Sequence, residues 1–283
     1  MTRIAVLQMT SGIDPGRNSD IIRNAALAAC AEGAGVMFTP EMSLLLDRDR
    51  GRAAASIVSE QESPFVGMLC SLAQETRLYI ALGSMAVALP DGRWANRSML
   101  FRPDGERAVA YDKMHMFDVD LASGESWRES SAYRAGDAIV AEDVTIVGMA
   151  DGGEAQETFR LGLTVCYDLR FPALFDALGR RRCDVIAVPA AFTVPTGEAH
   201  WHVLLRARAI EGSAYVVAAA QVGQHEDGRR TYGHSLVVDP WGEVLLDMGG
   251  DAPGLGFAEI DLGRIAEVRA QVPSLANRRE IST

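Results

Sequence analysis

Cys166 follows the apolar run Leu161-Gly162-Leu163-Thr164-Val165 and precedes Tyr167-Asp168-Leu169-Arg170 and Pro172, a helix-starting residue. A thiol there stands at a strand end, beside backbone N–H groups that enter a helix. Those dipoles favour thiolate and can hold an oxyanion, so the chemistry indicated is nucleophilic catalysis. Cys30, Cys70 and Cys183 read as inert core residues, and no C-x-x-C pair suggests a zinc knuckle or a disulfide scaffold. A thiol nucleophile needs a base. His200-Trp201-His202 offers two imidazoles, but residues two apart on a helix beginning at Ala199 diverge, which argues against a shared metal site. His200 near that helix start reads as a hydrogen-bonding residue. The carboxylate alternative is Glu41, directly after Val36-Met37-Phe38-Thr39 and Pro40. Fixed at a strand end in apolar surroundings, it is expected to have the raised pKa of a base that works near neutrality. Lys113 is the third residue of interest, being the single lysine beside 26 arginines. A compact ammonium does catalytic work that the broad guanidinium fork does poorly; the alternative is chance survival on the surface.

The elements that must position these groups alternate between strand and helix. Ile4–Met9 reads as a buried first strand, Ser19–Ala31 as a helix stopped by Glu32-Gly33, and Val36–Thr39 as a second strand. Pro64–Thr76 reads as a helix and Leu78–Ala88 as a strand pair bent at Gly83. Trp94–Arg102 and Ala108–Met116 form a hairpin about Pro103-Asp104-Gly105, and Val144–Ala150 and Phe159–Val165 are strands joined around Asp151-Gly152-Gly153. A short helix at Ala173–Leu178, a strand at Asp184–Val188, a helix at Ala199–Glu211 and a strand at Ala214–Ala220 follow. The hairpin Ser235–Asp239 and Glu243–Asp247 turns at Pro240-Trp241-Gly242. No linker, repeat or low-complexity segment interrupts the pattern, so a single layered α/β domain over 1–283 is expected, with a tail at about 273–283.

Composition narrows the partners. Among 283 residues, 27 Lys plus Arg against 38 Asp plus Glu give a charge of −11. That balance opposes nucleic acid and anionic membranes, whose phosphates draw affinity from clustered basic groups. The substrate is therefore expected to be small, held by a local cationic anchor rather than a broadly positive cleft. Ile4–Leu7 is too short for a secretory signal, and no apolar run approaches the roughly 20 residues of a membrane helix. A reducing, cytoplasmic setting is expected. Cofactor motifs are missing: there is no Walker loop, Gly254-Leu255-Gly256 lacks a third glycine, and Gly233-His234-Ser235 does not complete a G-x-S-x-G elbow.

Glu41, Lys113 and Cys166, each just after a strand, make the chain resemble the nitrilase (carbon–nitrogen hydrolase) superfamily, in its amidase branch. The segments that carry the resemblance are Thr39-Pro40-Glu41-Met42, Tyr111–Asp120, Cys166–Pro172, Gly197–Trp201, Arg206–Ala209, Tyr232–Ser235 and Asp239–Gly242. It implies a four-layer αββα sandwich and cofactor-free, metal-free hydrolysis of a non-peptide C–N bond. Carried over, Cys166 attacks the amide carbon, and Glu41 takes its proton, hands it to departing ammonia, then activates the water that cleaves the thioester. Lys113 and the backbone N–H of Tyr167 would hold the oxyanion, and Glu129 matches the family's second, orienting glutamate. Met114, Met116, Trp127 and Glu198 depart from the commonest family residues, and Glu198 is read as a surface position. Arg170 either clamps a substrate carboxylate or braces the turn against Asp168 or Asp176, while Phe192 and Thr193 line the pocket wall. The resemblance favours an ω-amide such as deaminated glutathione; an N-carbamoyl amino acid hydrolase and a catalytically silent scaffold are the alternatives. It also implies a homodimer or higher homo-oligomer.

Overall fold

The computed structural model describes residues 1–120, 124, 126–150 and 153–279. Strand β1 (Thr2–Gln8) turns Ile4 and Val6 to one core and Ala5 and Leu7 to another, as the two-residue strand period requires. Helix α1 (Pro15–Ala31) begins four residues before the alanine spacing suggests. Its start is fixed by Pro15 in the first turn and by Asp14, whose carboxylate accepts the N–H groups of Gly16 and Arg17. Then come β2 (Val36–Phe38), α2 (Arg50–Ala54), α3 (Pro64–Thr76), β3 (Tyr79–Ala88), β4 (Trp94–Phe101) and β5 (Arg107–Asp112). Tyr79–Ala88 is one strand, not a pair, and its pairing with β4 breaks register between Leu82 and Met85, around the Gly83 at which a bend was expected. Gly83 is required by proximity: a Cβ on it would lie 2.1 Å from the Thr39 carbonyl and 2.4 Å from that of Pro40.

A small ribbon, β6 (Asp118–Asp120) with β7 (Ser126–Arg128), leads to a single turn at Glu129–Ser131. The second half runs β8 (Ala141–Ala150), β9 (Gly153–Leu163), a turn at Cys166–Arg170, α4 (Pro172–Arg180), β10 (Val185–Ala187) and α5 (Val194–Gly212). It continues with β11 (Tyr215–Ala218), β12 (Val222–Gln224), β13 (Arg230–Tyr232), β14 (Leu236–Val238) and β15 (Val244–Asp247). The chain then returns through β16 (Gly254–Ile260) to α6 (Leu262–Gln271). Residues 151 and 152, in the turn expected between β8 and β9, lie outside the described residues. Helix α5 starts at Val194, with Pro195 in its first turn, so His200 sits well inside it and not at its start.

Two six-stranded sheets result, ordered β16-β1-β2-β3-β4-β5 and β15-β14-β11-β10-β9-β8. Read from β16 and from β8, both follow one plan: an antiparallel pair, two parallel pairs, then two antiparallel pairs. Ile4, Val6, Phe38 and Leu100 meet Phe159, Leu161 and Val216 in a core that spans the two sheets. Helices α1 and α3 cover the first sheet through Ile22, Ala26, Leu69 and Leu72, and α4 and α5 contribute Leu174, Leu178, Leu205 and Ala209 to the second. This is the αββα sandwich expected from the sequence. The described end of the tail folds back on α4, where Arg278 pairs with Asp176 at 3.0 Å.

Candidate active site

Parallel strands end in loops at one edge of each sheet, and these loops carry the reactive groups. Beyond β2, Thr39-Pro40 delivers Glu41, whose backbone carbonyl accepts Gln221 Nε2 at 3.0 Å. Beyond β5, Lys113 leaves the sheet with its N–H on the Asn96 carbonyl and its own carbonyl accepting Gly136 N–H. Beyond β9, Cys166 holds φ of 50° at the head of a tight turn, anchored by its N–H to the Pro189 carbonyl at 2.8 Å. A non-glycine residue in this left-handed region costs of order 1–3 kcal/mol, so the surrounding contacts must impose it.

Much of that restraint comes from Asp168. Its buried carboxylate accepts Val165 N–H (2.8 Å) within the turn and the Tyr111 hydroxyl (2.7 Å) and His115 N–H (3.1 Å) from the lysine segment. The His115 ring, stacked on Phe171 at 3.6 Å, completes the set through Nδ1 at 2.7 Å. The cysteine turn and the lysine segment are thus locked to each other.

Lys113, Glu41, Glu129 and Asn96 form one hydrogen-bonded cluster. Lys113 Nζ donates to Glu41 Oε1 (3.0 Å) and to Glu129 Oε1 and Oε2 (3.1 and 2.8 Å). Asn96 Nδ2 donates to Glu41 Oε1 (2.9 Å) and Glu129 Oε1 (3.1 Å). Glu41 Oε2 accepts Ala191 N–H (2.9 Å), and Glu129 Oε2 accepts Phe117 N–H (2.7 Å). The Cys166 thiol lies beside this cluster, close enough to feel the charges of both Glu41 and Lys113.

The electrostatics follow. Burial is the largest influence on Glu41 and pushes its pKa up, but the Lys113 charge and the bonds from Cys166, Lys113 and Asn96 together outweigh it. Its carboxyl is therefore held below the ordinary value, which corrects the raised pKa expected from the sequence: the surroundings are buried but not apolar. For Lys113, burial disfavours the charge, while Glu129, Glu41 and Cys166 restore it and hold the ammonium well above its usual range. Burial, then the Glu41 charge, push the Cys166 thiol well up, against the pull of Lys113. The resting cluster is carboxylate, ammonium and neutral thiol, the state in which a general base removes the thiol proton as attack occurs.

These groups line a cavity of about 460 Å³. Tyr167, Arg170, Phe192 and Thr193 line it too. Arg170 neighbours neither Asp168 nor Asp176 through an ion pair; its Nη1 meets His200 Nδ1 at 3.2 Å, and its guanidinium lies over Tyr167 and Phe192. Glu198 is exposed and outside the cavity. The lining also contains Arg48, Arg50, Arg128, Arg229 and Arg230, so the cleft is broadly positive and not limited to the local anchor expected from net charge. Sequence reasoning missed Asn96, which is fully buried, and the Trp127 and Phe117 walls; the polar run Asn96-Arg97-Ser98 inside the strand Trp94–Phe101 is the only signal that touches Asn96.

Among the described residues, the donors close enough to hold a metal ion are His202, His234 and Asp247. Each histidine hydrogen-bonds to Asp247 at 2.9 Å, and none of the three lines the cavity. No helix among the described residues is long and apolar enough to cross a membrane.

The family profile for carbon–nitrogen hydrolases matches residues 3–270. A Synechocystis protein named deaminated glutathione amidase is 38% identical over 278 residues, covering 97% of each chain. The crystal structure of the Caenorhabditis elegans NitFhit protein superposes with a TM-score of 0.84 at 33% identity over 98% of this chain, which spans 65% of that longer protein. Saccharomyces cerevisiae Nit3, a member of branch 10 of the nitrilase superfamily, gives 0.81 at 26% identity, with 96% and 94% of the two chains covered.

Proposed function

Because this chain belongs to the carbon–nitrogen hydrolase family, we propose that it is an amidase that cleaves a small carboxylate-bearing amide through a thioester on Cys166. Deaminated glutathione is the substrate favoured by the names of its relatives. The observation that carries the mechanism is the meeting of Glu41, Lys113 and Cys166, from three separate loops, on one cavity, where Lys113 donates to Glu41 and the thiol feels both charges.

In the first half-reaction the Cys166 sulfur bonds to the amide carbon while Glu41 takes the thiol proton. The oxygen of the tetrahedral adduct gains negative charge, which Lys113 and the Tyr167 N–H neutralise. Glu41 then gives its proton to the leaving nitrogen as the C–N bond breaks. In the second half-reaction Glu41 removes a proton from water, the water oxygen bonds to the thioester carbon, and the C–S bond breaks with return of the proton to sulfur. Glu129 and Asn96 hold Lys113 and Glu41 in register throughout. The leaving group depends on the amide: a primary amide releases ammonia, whereas the γ-amide of deaminated glutathione releases cysteinylglycine. Arg170 anchors a carboxylate on the acyl side, with Phe192 and Thr193 as wall.

We also assign the protein to the cytoplasm, in keeping with four free cysteines, and to a homodimer or higher homo-oligomer. Val203 and Ile210 of α5 are exposed apolar residues, as are Trp241, Val244 and Leu245 of the β14–β15 hairpin, and Arg206 Nε donates to the Gly242 carbonyl between them. A second copy of this chain is the occupant proposed for that face.

The test is product release from deaminated glutathione, α-ketoglutaramate and an N-carbamoyl amino acid by wild type, Cys166→Ala and Lys113→Arg. Wild-type turnover of the first, abolished in Cys166→Ala and cut about 100- to 1,000-fold in Lys113→Arg, is expected. Turnover of the carbamoyl substrate alone would move the substrate class, and silence on all three would favour the scaffold alternative.

A further inference from the structure

We infer that the cavity has a second anion-binding pole, built on Arg48 and Arg229, that takes a carboxylate on the amine side of the scissile amide; this rests on the amidase reading above. The starting observation is a mismatch of charge. The chain carries −11, yet among the described residues six arginines line this one cavity against three acids, Glu41, Asp47 and Glu129. The acids are already engaged: Glu41 and Glu129 by Lys113, and Asp47 by Arg52 at 2.6 Å. Arg128 is neutralised by Asp120 at 2.8 Å. Arg48 and Arg229 share a single carboxylate, that of the fully buried Asp227, at 3.9 and 2.7 Å. These groups form one network with Asp47 and Arg52, in which Arg48, Arg52 and Arg229 face Asp47 and Asp227 and keep one positive charge beside the cavity, with Asp49 acting on Arg52 from outside the lining. Arg170 has no carboxylate partner among the described residues.

The two sets of guanidinium groups lie at the ends of a row of rings. Arg170 stands over Tyr167 (5.9 Å), Tyr167 packs edge-on against Phe117 (5.0 Å), and Phe117 tilts against Trp127 (6.2 Å). Arg229 and Arg48 then stand over Trp127 at 5.3 and 5.8 Å. Such a wall fits an elongated ligand with a partly apolar middle and an anion at each end. Arg170 follows the nucleophile by four residues and serves the acyl end, so the Arg48–Arg229 pole serves the leaving amine. The substrate class is then an amide with a carboxylate on both sides of the bond that breaks, which a primary ω-amide lacks.

The experiment compares deaminated glutathione with its C-terminal glycinamide, which differs only in the amine-side charge. Wild type is expected to favour the free acid about 10- to 100-fold in kcat/KM, mostly through KM. Arg229→Gln should shrink that preference to within about threefold, and Arg229→Lys should restore part of it. Arg48→Gln reads the same ratio if Arg229→Gln does not fold. Equal, brisk turnover of both amides by wild type would overturn the second pole and leave the amidase reading standing. So would an undiminished preference in a folded Arg229→Gln protein. Absence of turnover on either amide would overturn both readings.

Discussion

One amide nitrogen, Asn96 Nδ2, touches both glutamates of the cluster. With it Glu129 accepts four hydrogen bonds and Glu41 three, which leaves Glu41 one further acceptor direction and favours its charged form. Asn96→Ala should therefore lower kcat by about 10- to 100-fold and raise the acid limb of the pH profile, because Glu41 loses a donor that favours its charged form. A profile unchanged in shape would reduce Asn96 to packing. The groups that set this limb are Glu41, Lys113 and the Cys166 thiol, with the Tyr133 phenol, pushed up by burial, close behind them. In the wild type the base is lost only as pH falls through the depressed pKa of Glu41, below the usual 4.5. The thiol stays protonated until pH passes its raised value, above the usual 9.0. We expect kcat/KM to be flat between those two values; a limb inside the interval would contradict the charge state described. Glu41, Lys113 and Cys166 were legible because each stands behind a strand and Lys113 has no rival of its kind. Asn96 was not, since it stands beside Arg97 and Ser98 in its strand and nothing in that polar run says which of the three faces the site.

The strands were the more legible elements, because each apolar run is bounded by Gly, Pro or Asp. Helix starts were less so: α1 and α5 begin at Pro15 and Val194, ahead of their apolar spacing, because proline and capping geometry set the first turn. The hairpin β12–β13 escaped notice, being short and half polar, yet it supplies Arg230 and Thr231 to the cavity. Gly83 was read as a bend, and the register of β3 does shift there, but its tighter constraint is that β3 passes under the loop that carries Glu41. Gly83→Ala should cost about 3 kcal/mol, read as a lower midpoint in thermal unfolding. Activity should fall as well, because Thr39 and Pro40 must shift; full activity in a destabilised Gly83→Ala protein would separate packing from positioning.

The whole molecule repeats one strand plan in its two sheets, yet no repeat shows in the sequence, since each half has diversified the residues on a shared backbone order. The site needs both halves: Glu41 and Lys113 come from loops of the first sheet, and Cys166 from the second. The apolar face on α5 and the β14–β15 hairpin is expected to bury itself against a second copy. Val203→Glu, whose residue is 68% exposed, should therefore yield monomers by light scattering without lowering thermal stability of the subunit. Unchanged mass would place the assembly surface elsewhere. The solitary lysine has a practical consequence at this scale. Lys113 is 2% exposed, and the chain's other amine, at Met1, is paired with Glu157 on the surface. A lysine-specific protease has a single bond to cut, and that bond lies inside the folded body. The release of fragments 1–113 and 114–283 would thus time the opening of the molecule with one built-in clock, and an acylating reagent would record the same event as one added mass.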